Sequence, residues 1–141
     1  MKFYLTSVLC TLLLLNNLCA QTLNGKWECE STTFSITKQN GTTLTALNNL
    51  KEKGVSIIWE FMSNSKFIAR QDNLIQEGTW ELKGSQLILR GNFTKEIAQA
   101  MGLKELIYEV EQKGNKVDFS VDATKMGPYK KNILTYTFKK L

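Results

Sequence analysis

Histidine is missing from this chain of 141 residues, and proline occurs once, at Pro128. Without histidine, the protein has neither an imidazole general base nor a histidine ligand for a metal ion. The sequence therefore predicts no catalytic residues, no metal site, no cofactor and no enzymatic activity. The single proline also leaves most of the chain free to form uninterrupted strands, since proline removes a backbone donor from a sheet.

A long hydrophobic run is also missing, because the longest apolar stretch, around residues 8–15, is too short for a spanning helix of about 20 residues. This stretch follows the positive charge of Lys2 and precedes Ala20, which is the layout of a secretory signal. We expect residues 1–20 to be removed and residues 21–141 to form one exported domain, periplasmic or secreted, without a transmembrane segment. Lipid attachment at Cys19 is disfavoured because the large Leu18 precedes it.

Cysteine is scarce as well, and two of the three, Cys10 and Cys19, leave with the signal. The remaining Cys29 cannot form an intramolecular disulfide, and its alternation with Trp27 predicts a small buried hydrophobe. The net charge falls from +5 to +4 when Lys2 is removed. This mild charge, without interleaved arginine and aromatic residues, predicts no nucleic-acid partner.

What the chain has in abundance is alternation of apolar and polar side chains. Val117, Phe119 and Val121, for example, alternate with Asp118 and Ser120. Such a period of two indicates half-buried strands. The predicted strands cover residues 27–36, 57–62, 67–70, 79–83, 87–89, 106–111, 117–122 and 133–138, with turn residues at 63–65, 71–73, 83–85 and 113–115.

Two segments interrupt this alternation. Residues 94–102 predict a short helix with Thr94 as its N-terminal cap and Gly102 as a left-handed exit. In the other segment, Asn40-Gly41 is a strong turn signal. The leucines that follow favour a helix from about Thr45 to Lys53, although a strand over residues 43–53 also fits.

Eight short strands joined by tight turns predict an all-β antiparallel up-and-down barrel with one or two short helices. Closure of the sheet removes the exposed edges that an open sheet of this size would leave. No linker or shift in composition divides residues 21–141.

The motif at residues 23–27, LNGKW, together with the eight-strand meander, resembles the lipocalin-like proteins of the calycin group, and more narrowly small exported bacterial lipocalin-like domains. The resemblance implies that Gly25 lets the chain turn into the first strand and that Trp27 plugs the closed end of the barrel. It also implies a basic partner over Trp27, which Lys139 or Lys140 could supply through a cation–π contact. The sequence departs from the family in having no Thr-Asp-Tyr-like motif in mid-chain and no arginine near the C-terminus.

Large aromatic side chains dominate the predicted inward face of the barrel. An eight-strand barrel is wide enough to be filled by side chains or to hold one small ligand. If a ligand is bound, the sequence predicts that a small hydrophobic molecule contacts the following residues: Trp59, Phe61, Phe67, Tyr108, Phe119 and Tyr136. Trp59 and Tyr108 are the pair best suited to border a cavity, because each carries a polar tip.

The alternative is an envelope or extracellular protein-interaction or inhibitor module with a filled barrel. Its partner would contact the loop from Lys125 to Lys131, in which Met126 and Tyr129 lie between lysines. A cavity of several hundred Å³ would favour the ligand-binding alternative, whereas a filled barrel would favour the interaction module.

Overall fold

The computed structural model describes residues 23–141, and the predicted signal segment at residues 1–20 lies outside the described residues. The elements within the described part are β1 Gly25–Thr37, β2 Thr43–Asn49, β3 Ile57–Phe61, β4 Lys66–Gln71, β5 Leu74–Lys83, β6 Gln86–Arg90, α1 Asn92–Ala100, β7 Leu106–Lys113, β8 Lys116–Asp122, a 3₁₀-helix Thr124–Met126 and β9 Lys131–Lys140. All eight predicted strands are present.

Eight of the nine strands close into a barrel. From β3 to β9 each strand pairs with the next one in antiparallel orientation, β9 pairs with β1, and β1 pairs with β3. The predicted all-β, up-and-down barrel is therefore confirmed. A register shift between Cys29 and Ser31 marks a bulge in β1, which bends the strand where it leaves β3.

The ninth strand, β2, corrects the sequence analysis. Gly41 donates its N–H to the Lys38 carbonyl at 2.9 Å, so the predicted turn at residues 40–41 is confirmed. The helix predicted from Thr45 to Lys53 is wrong, because residues 43–49 pair with β1 as a strand. A helix so short is marginal on its own, whereas pairing with β1 satisfies the backbone at once.

The helix α1 begins at Asn92, two residues earlier than predicted. Thr94 does not cap it, since Gly91 occupies the N-cap and the Thr94 hydroxyl donates to the Gly91 carbonyl at 2.8 Å. Gly102 has φ +69°, as expected for a left-handed exit. Over residues 23–141, no helix has both the length and the apolar composition that crossing a bilayer requires.

The two ends of the barrel differ. At the closed end, Trp27 is fully buried and its Nε1 donates to the Leu23 carbonyl at 2.7 Å. Lys140 lies over the Trp27 ring, 5.4 Å from its centroid, and Gly25 enters β1 with φ +116°, a conformation that favours glycine. The opposite end, which we call the open end, is formed by the start of β3, the β4–β5 hairpin and α1.

Candidate ligand-binding site

Aromatic rings fill the barrel interior around Trp59, which belongs to β3 and is 8% exposed. Strand alternation brings rings from four other strands against it. Its neighbours, with centroid distances of 4.6 to 6.3 Å, are Phe61, Phe67, Tyr108, Phe119, Tyr136 and Phe138. Trp59 is thus the centre of the core as well as a wall of the space beyond it.

Between Trp59 and the open end lies a cavity of about 120 Å³, which we call the open-end cavity. Its walls come from β3, β4, β5, β6, β7, β9 and the inner face of α1. The lining residues are Ile57, Trp59, Ala69, Arg70, Gln71, Gln76, Leu89, Phe93, Ile97, Leu106, Tyr108 and Tyr136. Gln71 is exposed and Gln76 half-buried, so the cavity reaches solvent beside the β4–β5 hairpin.

The structure divides the six aromatic residues that the sequence proposed as ligand contacts. Trp59, Tyr108 and Tyr136 line the open-end cavity. The other three, Phe61, Phe67 and Phe119, are buried in the ring cluster and are not part of that lining. Trp80 also packs into the core, and its indole N–H donates to the Met62 carbonyl at 2.9 Å.

Three of the residues that line the cavity, Trp59, Tyr108 and Tyr136, carry a polar group at the end of an aromatic side chain. Burial raises the pKa of Tyr108 and of Tyr136, so both hydroxyls remain protonated and can donate hydrogen bonds. Within residues 23–141, the indole groups that hydrogen bond to protein are those of Trp27 and Trp80, and neither tyrosine hydroxyl has a protein partner. The residues that line the cavity therefore include two tyrosines and a tryptophan whose polar groups form no hydrogen bond within that part of the chain.

Charge is kept out of the open-end cavity. Arg70 is the charged member of its lining, and the guanidinium Nη1 pairs with Glu60 Oε2 at 2.8 Å. Arg70 pairs with Ile58 and Ile75 across the sheet, which places it on the outer face of β4. The remaining lining residues are neutral, so a charged group entering the cavity would meet no opposite charge there.

Sequence reasoning missed the residues that form the roof and the rim. Ile97 and Phe93 reach the cavity because α1 folds across the open end, where Phe93 stacks on Phe67 at 5.9 Å. Gly78 permits this crossing, since a Cβ at that position would overlap the Arg90 carbonyl oxygen. The sequence did contain one relevant signal, the apolar face of the predicted helix, because such a face packs against the apolar interior of the protein.

The segment from Lys125 to Lys131 lies elsewhere on the open end. Met126 is 51% exposed, whereas Tyr129 is half-buried. Together with Thr37, Leu103, Asp122 and Thr124, lysines 125, 130 and 131 border a surface depression of about 450 Å³. The ion pairs formed within the described chain include none of these three lysines.

Cys29 is buried, with 3% of its surface exposed, as the alternation predicted. Its Sγ donates to the Ser31 carbonyl at 3.5 Å. Burial raises the pKa of the Cys29 thiol to about 12, so the thiolate is absent at neutral pH.

Neither a protein-family model nor a curated protein matches the sequence. Among solved structures, the chain is similar to a lipocalin-like protein from Bacteroides uniformis, with 14% identity and a TM-score of 0.47 over 84% of this chain and 98% of that one. An uncharacterized protein from Bacteroides eggerthii has 14% identity and a TM-score of 0.48, over 84% of this chain and 99% of that one. A protein of unknown function from Nostoc punctiforme has 7% identity and a TM-score of 0.37, over 86% of this chain and 49% of that one.

The architecture itself is established by the strand order and by the two unlike ends of the barrel. An antiparallel meander closes through its first and last strands, one end is plugged by a buried tryptophan under a lysine, and the other holds a cavity. The described chain is therefore a closed antiparallel up-and-down β-barrel of eight strands.

Proposed function

We propose that this protein is an exported, non-catalytic barrel that binds a small apolar or amphipathic molecule in the open-end cavity. The observation that carries the proposal is the cavity itself, which lies inside the barrel and is walled by Trp59, Tyr108 and Tyr136. A mostly apolar concave site with a few polar groups is the usual form of a small-molecule site.

The size of the cavity limits how much of a ligand it takes. A volume of about 120 Å³ is below the several hundred Å³ that would favour the ligand-binding alternative over the interaction module, and below the roughly 300–1,000 Å³ of most small-molecule sites. A larger amphipathic ligand therefore places only its apolar end in the cavity. Its polar end then lies at the rim, beside the amide side chains of Gln71 and Gln76.

A non-catalytic role is supported by the state of the candidate nucleophiles. The thiol of Cys29 stays protonated, and a protonated thiol is a poor nucleophile. Tyr108 and Tyr136 are likewise held in their neutral form by burial. Export rests on the layout of residues 1–20, and an intact mass for the exported protein that corresponds to a chain beginning at Gln21 would support it.

The binding proposal is tested by filling the cavity. Ala69→Leu adds apolar volume to the lining without removing any packed side chain, so we expect it to abolish binding of an apolar fluorescent probe to delipidated protein. Ala46→Leu is the matched control, because Ala46 is exposed on β2 and does not line the cavity. Equal probe binding by both variants, with unchanged melting temperatures, would contradict the proposal.

Trp59→Ala is unsuitable for this test. Trp59 contacts six other rings, and losing a buried aromatic side chain of this kind costs roughly 3–5 kcal/mol. A loss of binding in that variant would report the loss of the core.

A second candidate function, a protein-interaction module, is favoured by the exposed Met126 and by the three lysines of the Lys125 to Lys131 segment, which outnumber the one acidic residue, Asp122, that borders the same depression. Its partner would present an acidic surface with an apolar residue near its centre. If delipidated wild-type protein binds no apolar probe, this second function replaces the first.

A further inference from the structure

We propose that the group held in the open-end cavity is a neutral single ring carrying a hydrogen-bond acceptor, such as an aryl ketone. This inference rests on the binding function proposed above and names the class of ligand for the same site. It is drawn from the volume of the cavity, from its three donor groups and from the absence of an unpaired charge in its described lining.

The volume corresponds to one ring. An apolar protein cavity of about 150 Å³ is known to bind benzene, and the open-end cavity measures about 120 Å³. Flat walls are already present, because the rings of Trp59, Tyr108 and Phe93 all line it. A planar group packs against such walls in stacked or edge-on contacts, which add to its hydrophobic burial.

The polar tips require an acceptor from the ligand. The Tyr108 hydroxyl forms no hydrogen bond within residues 23–141, although it is not one of the fully enclosed unpaired polar atoms of that part of the chain, which are Asn24 Oδ1 and Asn132 Oδ1. A ligand that covers this hydroxyl without accepting its hydrogen bond leaves a buried donor unpaired, which costs about 1–3 kcal/mol. A ligand oxygen within reach of Tyr108, Tyr136 or the Trp59 indole removes that cost, whereas water has few other partners among the apolar walls.

The same walls disfavour a charged ligand. Arg70 is engaged by Glu60 and lies on the outer face of β4, so an entering carboxylate would lose its hydration without gaining a cation. The carboxylate end of an amphiphile therefore remains outside, and a neutral carbonyl is the acceptor that suits the interior.

The test compares three compounds with the same number of non-hydrogen atoms: cumene, acetophenone and benzoate. Binding of each to delipidated protein at pH 7 is measured by isothermal titration calorimetry. We expect Tyr108→Phe to weaken acetophenone binding about 5-fold through the lost hydrogen bond, and to leave cumene binding unchanged. Tyr129→Phe is the matched control, since Tyr129 does not line the cavity, and it should alter neither value.

Benzoate should bind the wild-type protein at least about 10-fold more weakly than acetophenone, because its charge has no partner in the cavity. Equal effects of Tyr108→Phe on acetophenone and cumene, or benzoate binding as tight as that of acetophenone, would overturn the inference. If the protein binds a long-chain apolar probe but none of the three ring compounds, the inference is overturned and the proposed function stands. Binding of neither the probe nor the rings overturns both this inference and the proposed function.

Discussion

Trp27 is buried at one end of the barrel beneath Lys140, and its contacts define a test of the predicted plug at the scale of a single residue. Because Trp27 is fully buried and hydrogen-bonded to Leu23, we expect Trp27→Ala to lower the free energy of unfolding by roughly 3–5 kcal/mol. Thr79→Ala, on the exposed face of β5, should change it by less than about 0.5 kcal/mol. Urea denaturation midpoints give both values, and small, equal effects would mean that Trp27 does not act as a plug.

The buried thiol of Cys29 should make the stability of the protein depend on pH. Its pKa is about 12 in the folded protein against 9.0 for an unburied thiol, so its contribution to stability is complete below pH 9 and is lost as the pH rises toward 12. We expect the free energy of unfolding to fall by up to about 1.4 kcal/mol per pH unit in that range. Urea titrations at pH 9 and 10 measure the slope.

Cys29→Ala provides the control for that measurement, because it should reduce the slope while leaving the other titrating groups in place. Burial also raises the pKa values of Tyr108 and Tyr136 above their ordinary 10.0, so their contribution to stability is lost as the pH rises through 10, and the part of the slope that is due to Cys29 is the difference between wild type and variant. An unchanged slope in Cys29→Ala would assign the pH dependence to another group.

At the scale of elements, the crossing of the chain from β6 into α1 depends on Gly78. A methyl group there overlaps the Arg90 carbonyl oxygen and also meets the Phe93 ring at 3.4 Å. We expect Gly78→Ala to lower the free energy of unfolding by about 1–3 kcal/mol, which is the usual effect of overpacking a well-filled site. Glu77 is the exposed residue next to Gly78, and Glu77→Ala should lower the free energy of unfolding by less than about 0.5 kcal/mol in the same denaturation assay.

Hydrogen exchange separates a local effect from a global one in this variant. If Gly78→Ala displaces α1, the helix amides should lose protection while those of β8 and β9 keep theirs. Uniform loss of protection across the barrel would mean that α1 is not displaced separately.

At the scale of the whole molecule, closure depends on the last strand. β9 pairs with β1 from Trp27↔Lys140 to Thr37↔Lys131 and with β8 on its other side. A chain that ends at residue 130 should therefore show no cooperative unfolding transition by far-UV circular dichroism, because β1 and β8 keep unpaired edges. Deletion of Leu141 alone, which is 65% exposed, is the control and should preserve the transition. A cooperative transition in the longer truncation would contradict this role of β9.

The sequence predicted those parts of the barrel in which opposite faces of a strand meet different environments. Trp59, Tyr108 and Tyr136 were placed inward by alternation alone. β2 carries no such signal, since all of its residues except the half-buried Asn48 are exposed and its pairing with β1 is decided by the hairpin at residues 40–41. The residues of the cavity rim and the requirement for glycine at position 78 could not be predicted from the sequence, because both depend on where α1 crosses the open end.

The two ends of the described chain meet at the same place. The backbone N–H of Leu141 donates to the Lys26 carbonyl at 3.0 Å, beside the Lys140–Trp27 contact, and the open-end cavity lies at the opposite end of the barrel. A linker appended after Leu141 and coupled to a sensor chip would therefore present the cavity to the flowing solution. The same geometry makes the β4–β5 hairpin the wrong site for an affinity tag, because it forms part of the cavity rim.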